Sequence, residues 1–239
     1  VRRFAVALLL LVAAAPARSG HEDASPAVQA MQDDDAENPA MLWVQQGQAL
    51  WDQGCAACHG RPDSLRGVAA HYPEYDPKLG RPITLAGRVN QCRTERMKAS
   101  AWAPDSDEML GVTALVGLQS RGMPVAVDGS GPAAPFIEQG RAFFTLRQGQ
   151  LNLSCANCHD GLAGQRLGGA RIPQGQPNGY PLYRLEWQAM GSLDHRLRNC
   201  LAGVRAEPLA SDSPDMAALQ LYLGWRSNGL PVETPAVRP

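Results

Sequence analysis

The chain has 239 residues, 44% of them apolar, and 22 Lys and Arg against 23 Asp and Glu give a formal charge of -1. That balance excludes the broad basic surface of a nucleic-acid binder and gives no reason to expect an anionic membrane as partner. The length allows one large domain or two small ones.

Residues 1–17, within "VRRFAVALLLLVAAAPARSG", join two arginines to an apolar run and small residues ending in "APA". The pattern reads as an export signal cleaved after Ala17, because the run is too short to span a bilayer comfortably. No later segment is apolar enough for a transmembrane helix, so a chain in the oxidising periplasm, with no membrane span, is expected. Residues 18–38 are polar and acidic with no apolar period and read as a loose leader, in which His21 is expected to be solvated.

Asn38-Pro39 and Pro135 suit helix starts, with proline at or near the first helical position. Each helix leads to a Cys-x-x-Cys-His motif, "CAACH" at 55–59 and "CANCH" at 155–159. Thiols at i and i+3 share one face of a helical turn, where each can add to one vinyl group of a porphyrin. The next residue then points at the iron. Cys55, Cys58, Cys155 and Cys158 are therefore read as haem attachment sites and His59 and His159 as proximal ligands, giving two covalently bound c-type haems. A redox dithiol would leave both histidines unexplained. Segments 60–104 and 160–211, rich in Gly and Pro, are expected to wrap the haem edges. The closing helices begin at "PDSDEM" and "SDSPDM" with Ser106 and Ser213 as N-caps, and Gly122 and Gly229 stop them.

The halves superpose on each other. "YPEY" at 72–75 matches "YPLY" at 180–183, and "RVNQC" at 88–92 matches "RLRNC" at 196–200, both at an offset of 108. "MLGVTALVGLQSRGMPV" at 109–125 matches "MAALQLYLGWRSNGLPV" at 216–232, and "QQGQALW" at 45–51 resembles "EQGRAFF" at 138–144. The expected fold is mainly α: two tandem class I cytochrome c-like domains related by internal duplication, at 39–128 and 134–239. "VDGSGPAAP" at 127–135 reads as a hinge between them.

Each iron needs a sixth ligand or stays open, and the repeat supplies two recurring pairs, Met109/Met216 and Cys92/Cys200. The methionines lie on the apolar face of the closing helices and read as core filling. His71 and His195 each face a glycine in the alignment and do not recur. Cys92 and Cys200 could form a disulfide, the usual fate of leftover cysteines in an exported protein. Their equivalent places in separate domains favour instead two haem-thiolate centres. A plain electron carrier would need methionine or histidine at both irons and the disulfide, and a dihaem peroxidase would need an iron left open.

Two such haems, a recurring cysteine in each domain, and Arg-x-x-x-Cys followed by "VRAEP" resemble the SoxA family, the dihaem subunits of the SoxAX cytochromes of bacterial sulfur oxidation. The resemblance covers both domains and is most specific around Cys200. It implies that His59 and Cys92 hold one iron and His159 and Cys200 the other. It implies an L-cysteine S-thiosulfotransferase that joins thiosulfate to a cysteine of the carrier SoxYZ, with Cys200 catalytic as thiolate or persulfide. A SoxX-type monohaem cytochrome is the implied partner. It also assigns substrate binding to Arg196. The repeat tempers this, since Arg88 stands at the same place in the other domain, as if both paired with a haem propionate. Arg198, which faces Asn90, is the arginine that does not recur and is a second candidate, with Arg205 third.

Overall fold

The computed structural model describes residues 16–239, so the export-signal reading of residues 1–17 lies almost wholly outside the described residues. The chain enters through helices α1, Gly20–Asp23, and α2, Pro26–Asp33. The leader at 18–38 is thus not loose. Ser25 caps α2, the Gln32 side-chain oxygen accepts the Val237 amide at 3.0 Å, and the Asn38 side-chain amide donates to the Pro235 carbonyl at 3.0 Å. Side chains satisfying backbone groups of the far C-terminus hold it, which an apolar period would not reveal. His21 pairs with Asp33 at 3.1 Å.

The first half continues with α3, Met41–Leu50, a wide π-helical turn at Trp51–Cys55, and α4, Ala56–His59. The hairpin β1, Glu74–Asp76, and β2, Arg81–Ile83, precedes α5, Leu85–Gln91, a second π-helical turn at Cys92–Arg96, and α6, Asp107–Leu118. The second half repeats the plan with α7, Ala134–Thr145, and α8, Cys155–His159. A small hairpin follows, β3, Arg166–Leu167, and β4, Ala170–Arg171. Then come β5, Leu182–Arg184, and β6, Ala189–Gly191, followed by α9, Leu193–Gly203, and α10, Pro214–Arg226. The last strand β7, Ala236–Arg238, runs parallel to β5. The peptide bonds Tyr72–Pro73 and Tyr180–Pro181 are both cis.

Ser106 and Ser213 cap the closing helices as the sequence predicts, accepting the amides of Met109 and Met216. In each half the opening helix crosses the closing helix backbone to backbone. A Cβ on Gly47 would stand 2.1 Å from the Gly111 carbonyl oxygen, and one on Gly140 would stand 2.2 Å from the Ala218 carbonyl oxygen. Only glycine allows that approach.

The halves share their cores. Met190 of the second half packs with Val44, Trp51 and Leu110 of the first, while Ala70 and Val125 of the first pack with Phe144 and Leu219 of the second. Helix α6 is consequently buried all round from Met109 to Gly117. The 127–135 stretch is no hinge. Val127 is buried, its amide and carbonyl both bond the Asn228 side chain, and a Cβ on Gly129 would meet the Trp225 ring at 2.7 Å. No helix among the described residues is long and apolar enough to cross a membrane.

Candidate functional site

In the first half, the π-helical turn delivers Cys55 to the wall of a cavity of about 410 Å³, with His59 beside it. Cys92, Val68, Met97 and Val112 complete the wall. An apolar cavity of this size with thiol and imidazole on one wall and a further thiol at hand fits a haem. Trp51, fully buried, donates its indole N–H to the Gly60 carbonyl at 2.8 Å and sets its ring 5.7 Å from His59. Cys92 opens the π-helical turn after α5 and so rides a helix. Burial raises the Cys55 thiol above its ordinary pKa, and the neighbouring Cys92 adds to the rise. Met109 is buried in the space between the halves, outside this cavity, in keeping with core filling; Met97 is the methionine at the wall.

In the second half, Ser154 caps α8 and Asn157 bonds back to Ser154, a reciprocal cap that fixes the attachment turn. His159 Nδ1 lies 2.8 Å from the Pro173 carbonyl. A carbonyl only accepts, so Nδ1 carries the proton and the Nε2 lone pair is left for a metal. Burial, with Arg196 and Arg226 behind it, outweighs that bond and lowers the pKa of His159, favouring the neutral form that ligates. Among the described residues His59 has no such bond. Burial and then the nearby Cys200 push the Cys155 thiol up to about 11. Cys200 lies on α9, at the repeat position of Cys92. All six cysteines are free, so the structure has no disulfide joining Cys92 and Cys200. The remaining candidates are engaged elsewhere. The His195 ring stands 4.7 Å from that of Trp187 and 3.7 Å from Asp105, while His71 Nδ1 sits on the Ala126 carbonyl and Met216 is fully buried.

The arginines part company. Arg88 is closed in by the Tyr72 hydroxyl at 3.2 Å, Glu74 at 2.9 Å and the buried Asp76 at 2.7 Å. Burial works against its charge, yet these partners hold its pKa above the ordinary value. Arg88 lines the cavity of the first half and pairs there with two carboxylates of its own domain. Arg196, at the equivalent place on α9, makes no ion pair among the described residues. Arg198 is committed to Asp105 at 3.0 Å and Asp194 at 2.9 Å, so two carboxylates occupy the guanidinium proposed for substrate. Arg205 is a turn residue with φ of 56°, 3.4 Å from Gln150. Sequence reasoning missed Arg184, which the repeat sets at the position of Asp76, the partner of Arg88. The signal was present: at the offset of 108, Arg184 faces Asp76 and Leu182 faces Glu74.

Comparison with known proteins agrees with this double architecture. The profile of the family described as SoxA/TsdA, cytochrome c domain, matches residues 40–125 and again 139–232. The chain is 42% identical over 212 residues to the L-cysteine S-thiosulfotransferase subunit SoxA of Paracoccus pantotrophus, covering 86% of this chain and 73% of the relative. It is 40% identical over 229 residues to the protein of the same name from Rhodovulum sulfidophilum, covering 92% and 80%. Among solved structures, SoxXA from P. pantotrophus superposes with a TM-score of 0.90 at 40% identity, covering 93% of this chain and 87% of that one.

Proposed function

We propose a function for this chain from one premise: it belongs to the SoxA/TsdA cytochrome c family. It carries c-type haem bound covalently, and it is the cytochrome subunit of a sulfur-transferring enzyme, an L-cysteine S-thiosulfotransferase. Residues 1–17 are an export signal and 18–38 a leader, and the chain works in the periplasm. Residues 39–128 form the first haem domain and 134–239 the second, which holds the active site. Cys55, Cys58, Cys155 and Cys158 would hold the haem vinyl groups. His59 and Cys92 would hold one iron, and His159 and Cys200 the other. A SoxX-type monohaem cytochrome is the partner, and SoxYZ is the carrier whose cysteine receives thiosulfate.

The observation that carries the reading is on α9. Arg196 and Cys200 are four residues apart and so lie on one helix face, and Arg196 lacks the carboxylates that close Arg88. A guanidinium without an internal counter-ion is available to a small dianion, which it can grip through several donors at once. Bringing thiosulfate against that face sets its sulfane sulfur beside the Cys200 thiolate. Formation of the sulfur–sulfur bond releases two electrons and leaves Cys200–S–S–SO₃⁻. When bound, the haems supply the redox chemistry that takes up those electrons. The carrier cysteine thiolate then attacks the sulfane sulfur, the bond to Cys200 breaks, and Cys200 leaves as thiolate. The net change joins carrier thiolate and thiosulfate in one new bond, with loss of two electrons.

Cys200→Ala is expected to abolish thiosulfate conjugation to the carrier while both haems stay attached, as read by the haem absorption of the denatured protein. Conjugation at the wild-type rate in that variant removes Cys200 from the reaction.

A further inference from the structure

The two halves build the same small frame twice. β1 and β2 pair Asp76 with Arg81, and β5 and β6 pair Arg184 with Ala189, each at the end of its hairpin. Thr84 caps α5 and Ser192 caps α9, each accepting an amide three residues on, from Gly87 and His195. Arg88 and Arg196 both stand four residues past that cap. In the first half this frame brings the arginine to residue 76 at 2.7 Å. In the second, residue 76 has become Arg184 and residue 74 has become Leu182, so the same frame sets a guanidinium where the first half sets a buried carboxylate.

Two guanidiniums set in one such frame repel each other unless an anion lies between them, and the protein supplies Arg184 with little. The Arg184 side chain is 15% exposed, and its Nε is buried without a hydrogen-bond partner. Its ion pair is with Glu186 at 3.2 Å, on a carboxylate that is itself 66% exposed. The Trp187 ring centroid lies 5.1 Å from the Arg184 guanidinium carbon, within cation–π range. Burial lowers the pKa of Arg184, and the charge of Arg196 lowers it further. A buried donor left unmade is costly, and a bound oxyanion would satisfy it.

We propose that Arg184 and Arg196 form a two-guanidinium clasp for a small oxyanion, and that the clasp takes the sulfonate end of thiosulfate. This rests on the functional reading above and adds Arg184 to it as a specificity-determining residue. Each planar guanidinium offers parallel donors to two oxygens, so the pair distinguishes a three-oxygen sulfonate from a thiolate. The same frame in the first half, closed by Asp76 and Glu74, cannot take the anion.

The test uses the complete haem-bearing complex and its carrier, with thiosulfate as substrate and sulfate as competitor. Arg184→Gln is expected to raise the KM for thiosulfate about tenfold or more, with a smaller fall in kcat, and to weaken sulfate inhibition in parallel. Arg184→Asp, which rebuilds the first half's closed pair, should raise it further, and Arg184→Lys should recover part of the loss. Haem absorption and both reduction potentials should stay at wild-type values, which also reports that the variants fold. A wild-type KM in Arg184→Gln overturns the proposal. If a haem potential shifts at the same time, the clasp belongs to a propionate rather than to substrate. If the wild-type complex itself conjugates no thiosulfate, the failure lies with the functional reading.

Discussion

The two halves of this chain share helices, caps, glycine crossings and haem motifs, and differ most in what surrounds one arginine. In the first half Arg88 ends in Tyr72, Glu74 and Asp76, a network in which two carboxylates more than offset its charge. In the second, Arg196 has a leucine and an arginine where those carboxylates stood, and it lies one turn from Cys200. The repeat sets Cys200 where Cys92 stands in the other half, and the proposed anion clasp turns on two hairpin positions, Glu74 against Leu182 and Asp76 against Arg184. The carboxylates make a structural ion pair with Arg88; on the proposal above, the cation makes a binding site with Arg196.

The largest effect should come where the halves are alike. Gly47→Ala and Gly140→Ala each drive a methyl into a facing carbonyl, at 2.1 and 2.2 Å, and each is expected to cost about 3 kcal/mol, the upper end for overpacking. Thermal unfolding of the two variants tests this. Because the cores interlock, both should unfold in one transition, and separate transitions would break the picture of a shared core.

The smallest effect should come from the arginine that distinguishes the halves by sequence but not by chemistry. Asn90 in the first half holds its own loop through both bonds to Trp102, whereas Arg198 reaches across to Asp105 of the other half. Arg198→Ala is expected to leave the KM for thiosulfate unchanged and to cost about 1 kcal/mol, since the pair is partly exposed. A large rise in KM would return Arg198 to the substrate site.

Much of this was legible in the sequence, and the reasons differ by element. Ser106 and Ser213 could be placed because a cap is a local contract between a hydroxyl and an amide three residues on. The Cys-x-x-Cys-His motifs and the pair Cys92 and Cys200 could be picked out because their spacing recurs. The leader could not, since Gln32 and Asn38 find their partners about 200 residues away, at Val237 and Pro235. The 127–135 segment looked like a hinge because glycine and proline mark turns, but Asn228 and Trp225 pack it down. Arg198 was favoured for being unmatched, and only the fold shows that Asp105 and Asp194 have taken it. Arg184 stayed hidden because its meaning depends on a contact between residues 76 and 88, which the alignment pairs with 184 and 196 without showing that they touch.

The central claim, that the second half reacts and the first does not, is most directly tested by peptide-resolved mass spectrometry of the intact haem protein, before and after thiosulfate and then after mild reductant. The account predicts a reducible sulfur or thiosulfate adduct on Cys200, none on Cys92, and its loss in Cys200→Ala. Adducts on both cysteines, or a disulfide between them with no adduct, would contradict it.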